Sequence, residues 1–374
     1  MASIYIHIPF CRKACHYCDF HFSTSLKSKD EMVKAICAEI GLRKNYLGTN
    51  EISSLYFGGG TPSLLEIEDI RKIIAAVNLH FRLNPNAEIT LEANPDDLIF
   101  NKIGEFGESG INRLSIGVQS FQDEVLKLLN RTHGAMQAIH AIKESQKAGF
   151  QNLTIDLMYG LPGLTVKTWE NNLKQAFELG TPHISAYCLT VEKKTALHHF
   201  VANKRISLPG DDITAVQYEI LMEMAEQNGF EHYEISNFCK PGMHSRHNSS
   251  YWNNEPYLGI GPSAHSYNGD SRQWNIANNA IYMSEIKSGG CWFEKEELLP
   301  SDKYNEYLLT RLRTSNGINL AYIRDEFGKA RAAGIEMKLA PYITGGLLWH
   351  EKENVFLTRK GKLIADKIIS DFFN

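Results

Sequence analysis

Three cysteines, Cys11, Cys15 and Cys18, stand at C-x3-C-x2-C spacing in the stretch IPFCRKACHYCDFHF, directly behind an apolar run. Soft thiolates select zinc, copper(I) or iron–sulfur clusters. A closed zinc site wants four ligands, and His16 or His21 would serve as the fourth. A [4Fe–4S] cluster is usually held by four cysteines, so a set of three leaves one iron open to a small chelating ligand. The next apolar run ends in YFGGGTP, residues 56–62. Glycines there let the backbone approach a ligand closely and turn its N–H groups toward it. The coincidence of the two features favours the cluster.

A second constellation lies far along the chain, in RHNSSYW, residues 246–252. His247 offers a nitrogen, and Tyr251 and Trp252 offer flat faces, with His244, Tyr257, His265 and Tyr267 close by in sequence. A heme wants an axial His, Tyr or Cys and apolar walls, so this set suits a tetrapyrrole. It would also serve as an aromatic loop packed over a barrel mouth.

These groups need a scaffold. Over the first two hundred residues, apolar runs of strand length recur at 3–8, 53–60, 88–95, 113–121, 153–162 and 183–191. Helical patterns lie between them, the clearest being IEDIRKIIAAVNLHF, with apolar residues at i, i+3, i+4 and i+7. Such alternation implies parallel strands and right-handed crossovers, with the ligand site at the C-terminal strand ends. Six units fall short of a closed eight-stranded barrel, so an open barrel of about six βα units is expected. A doubly wound sheet has the same local signature. Residues 1–205 form this unit. After it, 206–374 read as an α+β extension whose last part, 300–374, resembles a small winged helix. With no basic stripe there, a packing role is favoured over nucleic-acid binding.

The chain of 374 residues carries 39 Lys plus Arg against 43 Asp plus Glu, a net −4 that argues against a nucleic-acid or anionic-membrane partner. No apolar run approaches the roughly 18 residues of a membrane helix, and the N-terminus lacks signal-peptide features. Seven cysteines, an odd number with three clustered, do not look like a disulfide framework and point to a reducing cytoplasm. Cys37, Cys188, Cys239 and Cys291 read as small apolar filler, with Cys239 kept as a possible heme contact.

The motifs YIHIPFCRKACHYCDF, YFGGGTPSLL, LEANPDD, RLSIGVQSF and DLMYGLPG together resemble the radical S-adenosylmethionine superfamily, in its oxygen-independent coproporphyrinogen III oxidase-like group. The resemblance implies that S-adenosylmethionine chelates the open iron through its amino and carboxylate groups. An electron from the cluster can then cleave the sulfonium to a 5′-deoxyadenosyl radical. It further implies contacts to that cofactor from Tyr5, Tyr17, Gly59, Gly60, Thr61, Glu92, Gln119, Arg131 and Asp156. Carboxylates can accept from the ammonium or ribose hydroxyls, and Arg can fork onto the carboxylate.

One departure matters. The oxidases resemble C-x3-C-x2-C-x-C, and here the last position is Phe20. The H-N-x-x-Y-W match at 247–252 instead resembles the HemW family of heme chaperones, a sister family that carries heme to acceptor hemoproteins, including respiratory ones. The expectation is thus a cytoplasmic heme carrier holding a [4Fe–4S] cluster and S-adenosylmethionine. Its heme contacts would come from His247, Tyr251 and Trp252, and any membrane contact would be peripheral and made through partners. The alternative is a decarboxylating coproporphyrinogen oxidase. A zinc-stabilised protein with a nucleic-acid module is a third reading.

Overall fold

The computed structural model describes residues 2–373. The six apolar runs form strands β1 (Ala2–Ile8), β2 (Glu51–Gly59), β3 (Arg82–Ala93), β4 (Arg113–Gln119), β5 (Leu153–Tyr159) and β6 (His183–Cys188). Each pairs in parallel with the next. Helices fill the crossovers, as parallel pairing requires. The helix Ile67–His80 shows why: Ile70, Ile73 and Val77 recur on one face and are fully buried against the strands. In β1, Ile4, Ile6 and Ile8 point into the helical layer, while Tyr5 and His7 alternate with them toward the barrel interior.

The sheet has one more parallel strand than the sequence pattern shows. Strand β9 (Tyr257–Ile260) runs parallel to β1, with Ser3 opposite Tyr257 and Ile6 opposite Ile260. It comes from the region that reads as an aromatic loop, because YLGI is short and interrupted by glycine. Beyond β9 the antiparallel strands β10 (His265–Tyr267), β11 (Ser271–Asn275) and β12 (Phe293–Glu297) extend that edge. Beyond β6 the hairpin β7 (Glu231–Glu234) and β8 (Asn237–Cys239) extends the other. The order is β12-β11-β10-β9-β1-β2-β3-β4-β5-β6-β8-β7. Since β12 and β7 end the sheet unpaired with each other, it is an open, parallel-cored α/β sheet.

Residues 300–372 carry their own core, centred on Tyr304, Leu308, Ile323, Leu339, Ile368 and Phe372. It lies among the helices Pro300–Leu312, Leu320–Phe327 and Lys329–Thr344 and a small sheet of β13 (Ile318–Asn319), β14 (Leu348–Glu351) and β15 (Asn354–Leu357). No helix among the described residues is long and apolar enough to cross a membrane.

One buried carboxylate fixes the extension to the barrel. Glu39, on the helix Lys29–Leu42, is fully buried and accepts from Gly261 N (2.8 Å), Asn275 Nδ2 (2.7 Å), the Tyr282 hydroxyl (2.6 Å) and Trp292 Nε1 (2.9 Å). Arg43 stands one turn away at 3.9 Å. A buried charge is tolerated when its lone pairs are this fully used. Burial pushes its pKa up, and these hydrogen bonds pull against that rise.

Candidate functional site

The cysteines sit on the loop leaving the C-terminal end of β1, and short backbone bonds hold that loop. Cys11 N donates to Ser23 O (3.0 Å), Ser23 N to Pro9 O (2.9 Å), and Thr61 N to Phe10 O (2.7 Å). On the far side Asn130 Nδ2 donates to Ala14 O (2.7 Å) and His16 N to Leu129 O (3.1 Å). Gly60 is required by packing: a Cβ there would stand 2.6 Å from Phe10 O and 2.9 Å from Ile8 O. The glycine stretch is thus where the second strand's loop closes onto the cysteine loop.

All three sulfurs line one cavity of about 420 Å³. They do not all fall within 4.8 Å of one another. A single zinc with Zn–S bonds of about 2.3 Å would draw them closer than that. Neither histidine proposed as a fourth ligand enters this cavity. His16 Nδ1 bonds Leu128 O (2.8 Å) and its ring packs edge-on to Phe200, while His21 Nε2 bonds Asn279 Oδ1 (2.7 Å). Three soft donors, widely set beside a glycine cradle, fit a cluster with an open iron.

The same cavity is lined by Tyr17, Gly59, Gly60, Thr61, Glu92, Gln119, Arg131 and Asp156. The Thr61 hydroxyl approaches Cys11 Sγ at 3.5 Å, and Arg131 Nη1 approaches Cys15 Sγ at 3.4 Å. Arg131 Nη2 also donates to Asn94 Oδ1 (2.6 Å) and Gly117 O (2.8 Å), and its Nε is buried with no partner among the described residues. Nη1 is thus the guanidinium nitrogen beside the sulfurs, while Nε lies in the packed wall. Across the cavity burial pushes Glu92 up to about 7, against a hydrogen bond from the Tyr56 hydroxyl (2.8 Å). Burial likewise pushes Asp156 up to about 6, opposed by the charge of Arg113. Gln119 holds a φ of 66°, a left-handed conformation uncommon outside glycine, where the β4–β5 register shifts. The backbone is bent there to present an amide at the strand end.

Tyr5 is the exception. It lines a neighbouring cavity of about 490 Å³, where its hydroxyl is 3.3 Å from His7 Nδ1, while its ring packs against Gly58 close to Glu92. That second cavity is lined by Phe20, Tyr251, Trp252, Tyr257, Tyr267 and the histidines 7, 21 and 265. Phe20 is 67% exposed and lines both cavities, an apolar side chain shared between them.

Tyr251 and Trp252 come together there as expected, but His247 does not. It lines neither cavity. The ring is buried, with Nδ1 2.9 Å from the Ser54 hydroxyl and Nε2 2.9 Å from the Tyr251 hydroxyl, and it stacks on Tyr56 at 4.8 Å. Burial holds it neutral, its pKa lowered to about 3. An imidazole with both nitrogens engaged has none to give an iron, so the expectation of His247 as a heme ligand is corrected. It sits underneath the cavity wall because it opens the short helix Arg246–Trp252, whose first N–H groups Glu88 receives from Arg246 (3.1 Å) and His247 (3.0 Å). Four residues on, Tyr251 is one turn higher and reaches the cavity.

Several functional residues escaped the sequence. Asn94, in the quoted LEANPDD, bridges Thr61 and Arg131. Buried Arg113 lies beneath the carboxylates, its Nη2 donating to Thr154. Tyr187 and Met158 complete the cavity rim. Arg113 opens the RLSIGVQSF stretch, but its position there does not reveal a buried partner of the carboxylates, and no motif contains Tyr187. Of the remaining cysteines, Cys239 is buried as filler should be, whereas Cys188 and Cys291 are exposed. Cys239 lines neither cavity.

Comparison with known proteins places the whole chain among relatives of one family. The Radical SAM superfamily matches residues 5–176, and the HemN C-terminal domain matches 298–364. A protein called heme chaperone HemW from Bacillus subtilis is 34% identical over 375 residues, covering 100% of this chain and 99% of the relative. Radical S-adenosyl methionine domain-containing protein 1, mitochondrial, from Danio rerio is 36% identical over 327 residues, covering 85% of this chain and 74% of that one. Among solved structures, coproporphyrinogen III oxidase HemN from Escherichia coli, described as a radical SAM enzyme, superposes with a TM-score of 0.86. It shares 25% identity, over 100% of this chain and 90% of that one.

Proposed function

The chain belongs to the radical SAM superfamily, in the family whose curated members are called heme chaperone HemW, and from that premise we propose that it binds heme and hands it to acceptor hemoproteins. The observation that carries the proposal is the pair of adjoining cavities with Phe20 between them. One side has the sulfur and polar set for a [4Fe–4S] cluster and S-adenosylmethionine; the other has aromatic faces for a flat macrocycle.

When bound, the cluster supplies an open iron and a single electron. Cys11, Cys15 and Cys18 are the residues to hold it. Arg131, whose Nη1 lies beside Cys15 on the cavity wall, is placed to bind the carboxylate of S-adenosylmethionine. Glu92 and Asp156 accept from its ammonium or ribose hydroxyls. On the aromatic side, Tyr251, Trp252 and Tyr257 give faces to the macrocycle, and the Arg272–Glu306 ion pair stands on the same wall. Phe20 supplies no thiol at the place where the oxidase pattern has one.

Delivery to respiratory hemoproteins in a reducing cytoplasm, with membrane contact only through those partners and no nucleic-acid partner, completes the proposal. The full-length superposition on an oxidase favours a second reading, anaerobic decarboxylation of coproporphyrinogen III. Paired assays on the anaerobically reconstituted chain separate them. The carrier reading expects heme to co-elute with the protein and coproporphyrinogen to be recovered unchanged. Chromatographic appearance of protoporphyrinogen, dependent on S-adenosylmethionine, would instead support the oxidase.

A further inference from the structure

Resting on the heme-carrier reading, we infer that His265 on β10, and not the motif histidine His247, is the axial ligand of the bound heme. Three imidazoles line the aromatic cavity, and their hydrogen bonds sort them. His7 is buried, with Nε2 donating to His21 O (2.9 Å) and Nδ1 3.3 Å from the Tyr5 hydroxyl. His21 has its outer nitrogen, Nε2, on Asn279 Oδ1 at 2.7 Å, which leaves only Nδ1, the nitrogen crowded by its own Cβ. A porphyrin plane is wide and demands the outer nitrogen. His265 has neither ring nitrogen hydrogen-bonded among the described residues, and its side chain is exposed to the cavity. It is the imidazole there with Nε2 free.

The strand that carries it is rigidly placed. His265 and Tyr267 alternate with Ser266, which is buried and takes the N–H of Gly259 at 2.9 Å, so the two aromatic side chains share the cavity face. Opposite them on β11 stand Trp274 and Arg272. At Gly259 a Cβ would come within 2.0 Å of His265 O, so β10 crosses β9 this closely only because that residue is glycine. The cavity therefore offers a free nitrogen and an aromatic wall beside it from Tyr267 and Tyr257, with the Arg272–Glu306 ion pair on the same wall. Its volume of about 490 Å³ is that of a small-molecule site.

The test is a heme titration of the anaerobically reconstituted full chain, read by the Soret band and by electron paramagnetic resonance of the ferric form. Wild type should show a nitrogen-ligated ferric heme. His265→Ala, a change at an exposed side chain, should lose that signature and weaken affinity tenfold or more, and added imidazole should restore the signature. His247→Phe should keep the wild-type spectrum. A His265→Ala protein with unchanged spectrum and affinity overturns the assignment while leaving the carrier reading intact, as does loss of the signature in His21→Ala instead. A wild type that binds no heme removes the carrier reading, and this assignment with it.

Discussion

The guanidinium of Arg131 stands 3.4 Å from the sulfur of Cys15, across 116 residues of chain. One residue thereby touches both the set proposed for the cluster and the side of the cavity proposed for S-adenosylmethionine. Arg131→Met removes the guanidinium beside Cys15 and strands the Asn94 and Gly117 oxygens, at about 1–3 kcal/mol. We expect S-adenosylmethionine affinity to fall at least about tenfold by calorimetry, with iron and sulfide content retained. Cys15→Ala, in contrast, should abolish the cluster absorbance; a spectrum that survives would contradict the assignment of the sulfurs.

The carboxylate pair gives a pH dependence with a definite sign. Glu92 at about 7 and Asp156 at about 6 lie above their ordinary values of 4.5 and 3.8. A raised carboxyl pKa contributes stability that is complete below the ordinary values and is lost as pH rises through the raised ones. The ligand-free chain should therefore lose stability between about pH 4 and pH 7 from this pair, read by denaturant midpoints. Affinity for the cationic groups of S-adenosylmethionine should run the opposite way, rising as the pair ionises. A flat binding profile across that window would remove both carboxylates from the ligand's contacts.

His247 acts through Tyr251, and a positioning role is separable from iron ligation. His247→Phe breaks the bonds to Ser54 and Tyr251 and leaves two buried hydroxyls unpaired, at about 1–3 kcal/mol. Lower thermal stability and several-fold weaker heme binding should follow, with no change in the iron's ligand signature. A changed signature would return His247 to the iron.

Glu39 predicts how firmly the cavity wall is attached. Glu39→Leu leaves four buried donors without their acceptor, and breaking such a site costs roughly 3–5 kcal/mol. Denaturant unfolding should show that loss. Amide exchange should rise first in β9 to β12, which carry the aromatic wall, and uniform exchange across the sheet would argue against this anchoring role.

How much of this was legible in the sequence follows from the range of the forces involved. Strands β1 to β6 announce themselves because parallel strands buried on both faces are continuous apolar runs. The cysteines, the glycine stretch, Glu92, Gln119, Arg131 and Asp156 were legible because each lies at a strand end in a quoted motif or matches a family position. Strand β9 was not, since four residues with a glycine have no period. Motif membership does not reveal that Tyr5 lines the aromatic cavity, because it says nothing about which face of β1 a residue takes. His247 was misread for a related reason: hydrogen bonds to Ser54, 193 residues away, decide whether its nitrogens are free. Glu39 acts through partners remote in sequence and left no local sign; Arg113 opens a motif, but its contact to Thr154 is equally remote.

The central claim is that the aromatic cavity beside Phe20 holds one heme. Stoichiometric titration of the wild type against the Trp252→Ala/Tyr267→Ala double variant, both reconstituted anaerobically, addresses it most directly. The account predicts saturation at one heme per wild-type chain and a loss of affinity of at least about tenfold in the variant. Equal affinity and stoichiometry in the two proteins would place the heme elsewhere and contradict it.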